Sequence, residues 1–143
     1  MRKVSNVREQ LKADEGTVPY AYTDSLGFWT IGTGILIDRK KGGALLPEEM
    51  DFILDNRIKI NANTLTTKIN WFSRLDTARQ GVLINMSFQL GMDGLLKFTN
   101  TLKMIETGDY VGASVGMLNS LWAKQTPERA NRLSKQMRTG VWQ

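Results

Sequence analysis

The chain contains neither cysteine nor histidine, and the two absences together remove most of the familiar catalytic inventories. Without imidazole or thiolate, no Ser-His-Asp or Cys-His nucleophile can be assembled. The nitrogen and sulfur ligands of ordinary zinc sites are missing too, so no metal centre and no cofactor are expected. Acid-base work near neutral pH must fall to Asp or Glu shifted by their surroundings, or less often to Lys or Tyr. With no possible disulfide, folding is indifferent to the redox compartment. No window approaches the ~18 uncharged apolar residues of a membrane span. The opening segment MRKVSNVREQLK has basic residues with no apolar run behind them, which predicts neither a signal peptide nor an anchor. Internal repeats and low-complexity tracts are also lacking.

What remains is an ordinary globular composition, 41% apolar and 23% charged, in 143 residues. That length suits one domain, 1–143, with one core or two lobes of it, and is enough to bury roughly two thirds of the unfolded surface. The net charge of +5 implies attraction to polyanions such as nucleic acid, an anionic membrane surface or an acidic wall polymer, without choosing among them.

Val4, Val7 and Leu11 recur at helical spacing, and Asn6 with Glu9 has the form of a capping box, predicting a short helix to about Ala13 that stops before Gly16. Residues 17–37 change character. Tyr20, Tyr22, Phe28, Trp29, Ile31, Ile35 and Ile37 are strand formers punctuated by Asp24-Ser25-Leu26-Gly27, Gly32 and Gly34, which reads as a hairpin plus a third short strand. Three strands are too few for independent stability, so the sheet should be a small lobe leaning on helices. After a Lys- and Gly-rich loop from Asp38 to Leu46, Pro47-Glu48-Glu49 opens a long helix of about six turns, marked by Met50, Ile53, Leu54, Ile58, Leu65 and Ile69. Asp76 to Leu90 is apolar enough to be a buried central helix closed by Gly91. Shorter helices are expected around residues 94–98, 100–107, 110–122 and 127–138, the last capped by Thr126 and closed by Gly140. The fold class is α+β and helix-dominated.

Glu15 and Asp24 stand at opposite ends of the first strand, with Thr30 on the returning one. Glycoside hydrolysis needs one carboxylic acid to protonate the leaving oxygen and a second carboxylate across the scissile bond. A threonine hydroxyl can orient a water without competing for protons. Spacing alone favours the plainer reading, a solvated acid near a helix end and an aspartate favoured by its turn.

A resemblance separates these readings. The segment DEG…YTDSLG..TIGTG resembles the signature of the T-even-type bacteriophage lysozymes, glycoside hydrolase family 24, with Glu, Asp and Thr at matching intervals of nine and six residues. LDTARQGVLINMSFQLGMDGLLKFTNTLKM and WAKQTPERANRLSKQMRTGVW resemble the helical lobe of the same family, in the same order. The resemblance implies a small three-stranded β lobe (about 15–46), an inter-lobe helix (about 47–68) and a larger all-α lobe (about 1–13 and 71–143). It implies a monomeric muramidase cleaving the β-1,4 bond between N-acetylmuramic acid and N-acetylglucosamine in bacterial peptidoglycan, with inversion. Glu15 would be the general acid, partly desolvated so that it stays protonated, with Asp24 and Thr30 positioning the attacking water. Arg129 matches a family arginine that pairs with the catalytic Glu. Leu36, Phe88, Gln89 and Thr101 match positions that contact sugar. Trp29, Trp71, Trp122 and Trp142 read as packing anchors. Two departures stand out: Ile35 replaces a family histidine and should pack apolarly, and Gly116 falls where a polar cleft residue belongs. The loop from Ile35 to Pro47 is also short, so a small helix of longer relatives should be missing.

A basic nucleic-acid-binding domain is the rival suggested by Arg129, Arg132, Lys135 and Arg138, but no reading motif accompanies them, and nucleic acid is not the expected partner. A virion- or tail-associated lysozyme module and a lytic transglycosylase are two further rivals. Asp24 together with Thr30 favours water as nucleophile. The expected setting is synthesis in the host cytoplasm, with access to the wall in the periplasm through a separate membrane-permeabilising protein.

Overall fold

The computed structural model describes residues 4–143, so Arg2 and Lys3 of the basic opening segment lie outside the described residues. It divides into two compact units, one ending at Ile53 and the other running Leu54–Gln143.

The first unit begins with helix α1 (Val7–Glu15), where the Asn6 side chain accepts the Glu9 N–H at 3.0 Å. The reciprocal arm of the capping box is displaced by one residue. Glu9 takes the backbone N–H and hydroxyl of Ser5, at 2.8 and 2.9 Å, in place of the N–H of Asn6. Gly16, at φ +74, ends the helix, which reaches Glu15 where Ala13 was expected. Strands β1 (Val18–Thr23), β2 (Trp29–Gly32) and β3 (Ile35–Leu36) form an antiparallel sheet in that order. Tyr22 faces Thr30 across β1 and β2, and Thr30 faces Leu36 across β2 and β3. The expected loop after β3 contains a single 3-10 turn, Arg39–Lys41, capped by Asp38. Ile35, expected to pack, is 40% exposed, on a two-residue edge strand with a single neighbour.

Helix α2 (Pro47–Lys68) carries the boundary between the units. At its polar end Thr66 and Thr67 turn their hydroxyls back to the carbonyls of Ala62 and Asn63, so they do not compete for backbone outside the helix, and the amide of Asn61 donates to the Ser87 hydroxyl at 2.9 Å. In the second unit, α3 (Thr77–Leu96) is capped by Asp76 and supplies Val82, Leu83 and Met86 to the core. Gly91, at φ +74 and ψ 164, interrupts it at the position where its end was expected. Then come α4 (Thr99–Glu106), α5 (Tyr110–Leu118), α6 (Leu121–Gln125) and α7 (Pro127–Thr139). The single helix expected over 110–122 is broken at Asn119, and Ser120 caps α6 by accepting the Ala123 N–H at 3.2 Å. Thr126 makes no cap bond to α7. Its hydroxyl points back to the Trp122 carbonyl, at 3.0 Å.

The core of this unit joins Leu65, Phe72, Val82, Leu83, Met86, Leu95, Ile105, Met117, Trp122 and Met137. Of the four expected tryptophan anchors, Trp71 and Trp122 are buried, whereas Trp29 and Trp142 are more than half exposed. Trp142 still has a packing role: its ring lies where a side chain on Gly81 would be. Seven helices and one small antiparallel sheet among the described residues make this an α+β, lysozyme-like architecture.

Candidate active site

Glu15, Asp24, Thr30 and Leu36 belong to the first unit, and Phe88, Gln89, Thr101 and Arg129 to the second. Glu15 is the last residue of α1 and is exposed, without the partial desolvation expected of it. Its carboxyl is covered on one side by Gly34 in the β2–β3 turn. A Cβ built on that glycine would lie 2.8 Å from both Cδ and Oε2 of Glu15.

Asp24 and Thr30 are organised around the backbone of Phe28. The Phe28 N–H and the Leu26 N–H both donate to Oδ1 of Asp24, at 2.9 Å each. The Phe28 carbonyl accepts the Asp24 N–H at 2.9 Å and the Thr30 hydroxyl at 3.0 Å. Gly27, at φ +85, lets the turn close tightly enough for all four bonds. Oδ2 of Asp24 takes no hydrogen bond among the described residues, and the hydroxyl of the buried Thr30 has committed its proton to Phe28, so each oxygen retains acceptor capacity. The role of Phe28 was not legible in its side chain, because it acts through its peptide groups. Leu36 lies beside Thr30 by strand register.

Asp38 fixes the far end of this sheet. Its carboxylate accepts the Trp29 N–H at 3.1 Å and the Lys40 N–H at 2.9 Å. The Trp29 bond first, then those of the 3-10 turn and the charge of Lys40, hold its pKa below the ordinary aspartate value.

In the second unit, Phe88 lines a hollow of about 340 Å³ with Leu54, Ile58, Ile84, Asn85 and Trp142, and Arg129 forms part of its wall. The Arg129 guanidinium is held by Asn85, donating from Nε and Nη2 to Oδ1 at 2.9 and 2.6 Å and from Nη2 to the backbone carbonyl at 3.3 Å. Nothing in the sequence singles out Asn85, which stands 44 residues away from Arg129. Gln89 accepts the indole N–H of Trp122 at 2.8 Å, a structural reason for its amide beside any sugar contact. Thr101 is buried, and its hydroxyl lies 2.7 Å from where a Cβ on Gly116 would be. The glycine that replaces the expected polar residue therefore makes room for the threonine. Among the described residues no group of three or more acidic side chains could hold a metal ion.

Residues 12–138, which include Glu15, Asp24, Thr30, Leu36, Phe88, Gln89, Thr101 and Arg129, match the family described as Phage lysozyme. Two proteins of Dictyostelium discoideum align along almost their whole length. "Probable T4-type lysozyme 1" is 30% identical over 164 aligned positions and "Probable T4-type lysozyme 2" is 32% identical over 167, each alignment covering 96% of both partners. The "Pre-baseplate central spike protein Gp5" of Enterobacteria phage T4 is 28% identical over 160 positions, taking in 94% of this chain and 28% of Gp5. With a family match over nearly the whole chain and two relatives aligned end to end, the chain belongs to the phage lysozyme family.

Proposed function

We propose that the chain is a muramidase that degrades peptidoglycan by inverting hydrolysis of the N-acetylmuramic acid to N-acetylglucosamine β-1,4 bond. The observation that carries this reading is the local construction of the first unit: an acid at the end of α1, and an aspartate and a threonine nine and fifteen residues later held by the backbone of one hairpin residue, Phe28. Glu15 protonates the glycosidic oxygen. A water that donates its protons to Oδ2 of Asp24 and to the Thr30 oxygen presents its lone pair to the anomeric carbon from the opposite face. Arg129 is proposed, on the resemblance alone, as the partner of the Glu15 carboxyl. Leu36, Phe88, Gln89 and Thr101 are proposed sugar contacts on the same ground.

The chain is further proposed to act as a monomer without metal or cofactor, on peptidoglycan and not on nucleic acid. It would lyse a phage's host after synthesis in the cytoplasm, once another protein opens the inner membrane. No helix among the described residues is long and apolar enough to cross a membrane.

Mass spectrometry of digested peptidoglycan tests the reaction. Reducing-end muramic acid is the expected product, and anhydro-muramic acid would replace this reading with lytic transglycosylation. Glu15→Gln is expected to abolish lysis with thermal stability equal or slightly raised. A second reading, a lysozyme module carried on the virion, is favoured by the alignment with the Gp5 spike protein. Finding the chain in purified virions would support it.

A further inference from the structure

Gly32 and Gly34 flank Thr33 in the β2–β3 connection with nearly identical backbones, φ +66 and +67. Any other residue pays the same left-handed strain at either position. Their surroundings are opposite. A Cβ on Gly32 would meet nothing within 4 Å, whereas on Gly34 it would lie 2.8 Å from Cδ and Oε2 of Glu15 and 2.9 Å from Cγ. Ordinary packing distances between such atoms are about 3.5–4.0 Å. The Glu15 carboxyl therefore rests on the bare Cα of Gly34, in a place that only a residue without a side chain leaves open.

We infer that Gly34 is a positioning residue for the catalytic carboxyl, its missing side chain setting where Glu15 holds its proton. The inference rests on the reading of Glu15 as the acid. The atoms that a methyl group would displace form the end of a flexible side chain, and Glu15 is exposed, so it has solvent to move into. The backbone and core are untouched by that movement. Substitution at Gly34 thus shifts the carboxyl by roughly 1 Å while the fold absorbs it, and a displacement of that size costs about a hundredfold in rate when it separates an acid from the atom it protonates. Glycan binding draws on many other contacts, so the loss falls on kcat and leaves KM nearly alone.

Gly32→Ala is the control on the same chain, carrying the strain without the contact. On soluble glycan fragments of peptidoglycan, Gly34→Ala should lose about a hundredfold in kcat with KM within about twofold, and Gly32→Ala should stay within about threefold of the parent. Equal kcat in the two variants would overturn the inference, and if Glu15→Gln is inactive in the same assay the acid assignment survives that outcome. An active Glu15→Gln would instead remove the reading beneath it. Should Gly34→Ala not fold, the Glu15→Ala, Gly34→Ala double variant regains folding if the carboxyl was the obstacle, and its failure to do so counts against the inference.

Discussion

The guanidinium of Arg79 donates to the carbonyls of Met137 and Arg138 at 2.7 and 3.1 Å, meets Asp76 at 3.1 Å and lies 3.6 Å from the centre of the Tyr110 ring. It thereby satisfies the last turn of α7 from α3, using a planar fork that a lysine lacks. Replacing it by Met should cost about 2 kcal/mol, or roughly 7 °C in Tm, by leaving the partly buried Met137 carbonyl unpaired, the exposed Arg138 carbonyl to water and the ring without its cation. Calorimetry of Arg79→Met would check this, and a loss under about 1 kcal/mol would show that water replaces the fork. None of this is legible in the sequence, since Arg79 and α7 meet across 58 residues. The helix end that carries Glu15 and the five-residue turn between Asp24 and Phe28 were legible because their partners are local, while the resemblance alone singled out Glu15, Asp24 and Thr30 as a candidate site. Gln89 and Arg129 were half legible. Their side chains could be singled out, but Trp122 and Asn85, which hold them, come from distant turns of the chain.

At the scale of elements, the sheet depends on a charge that titrates. Asp38 ties β2 to the turn that follows β3, and the bonds from Trp29 and Lys40 keep its pKa low. Glu9, bonded by Ser5 at the head of α1, is lowered in the same direction. For both, the folded pKa lies below the unfolded one, so the unfolded chain binds more protons between the two values. Their stabilisation is therefore full at neutral pH and above the unfolded carboxylate range, and is lost as pH falls through the folded pKa values. Melting curves between pH 6 and pH 3 should show the first unit weakening first, followed by tryptophan fluorescence from Trp29. Asp38→Asn, which meets two N–H donors with only one acceptor oxygen, should flatten that acid limb. Element types were readable from periodicity and capping residues. Element ends were less so: helix 110–122 broke because Ser120 offered its hydroxyl to a new first turn, and Thr126 turned backward because the Trp122 carbonyl, one turn earlier, lay within reach of its hydroxyl.

Over the whole molecule the charge is uneven. Residues 54–143 carry twelve Lys and Arg against six Asp and Glu, while residues 1–53 carry seven against eight, so the entire excess belongs to the helical unit. Arg132, Lys135 and Arg138 stand exposed along α7, and among the described residues none pairs with an acid. Such unpaired charge draws a protein to a polyanionic wall and is screened within about 10 Å at 0.1 M salt. Sedimentation with intact sacculi should show binding falling severalfold between about 50 and 300 mM NaCl. Changing Arg132, Lys135 and Arg138 together to Gln should remove most of that salt dependence and leave turnover of short neutral glycans unchanged. The methionines of the helical core have a different consequence. Met86, Met117 and Met137 are buried among apolar side chains, so a chain that owns no thiol keeps much of its oxidisable sulfur where peroxide cannot reach it. A sulfoxide could not be accommodated there without breaking the packing. Oxidation of these three sulfurs thus follows the opening of the core rather than causing it, and once made it would keep the opened chain from closing.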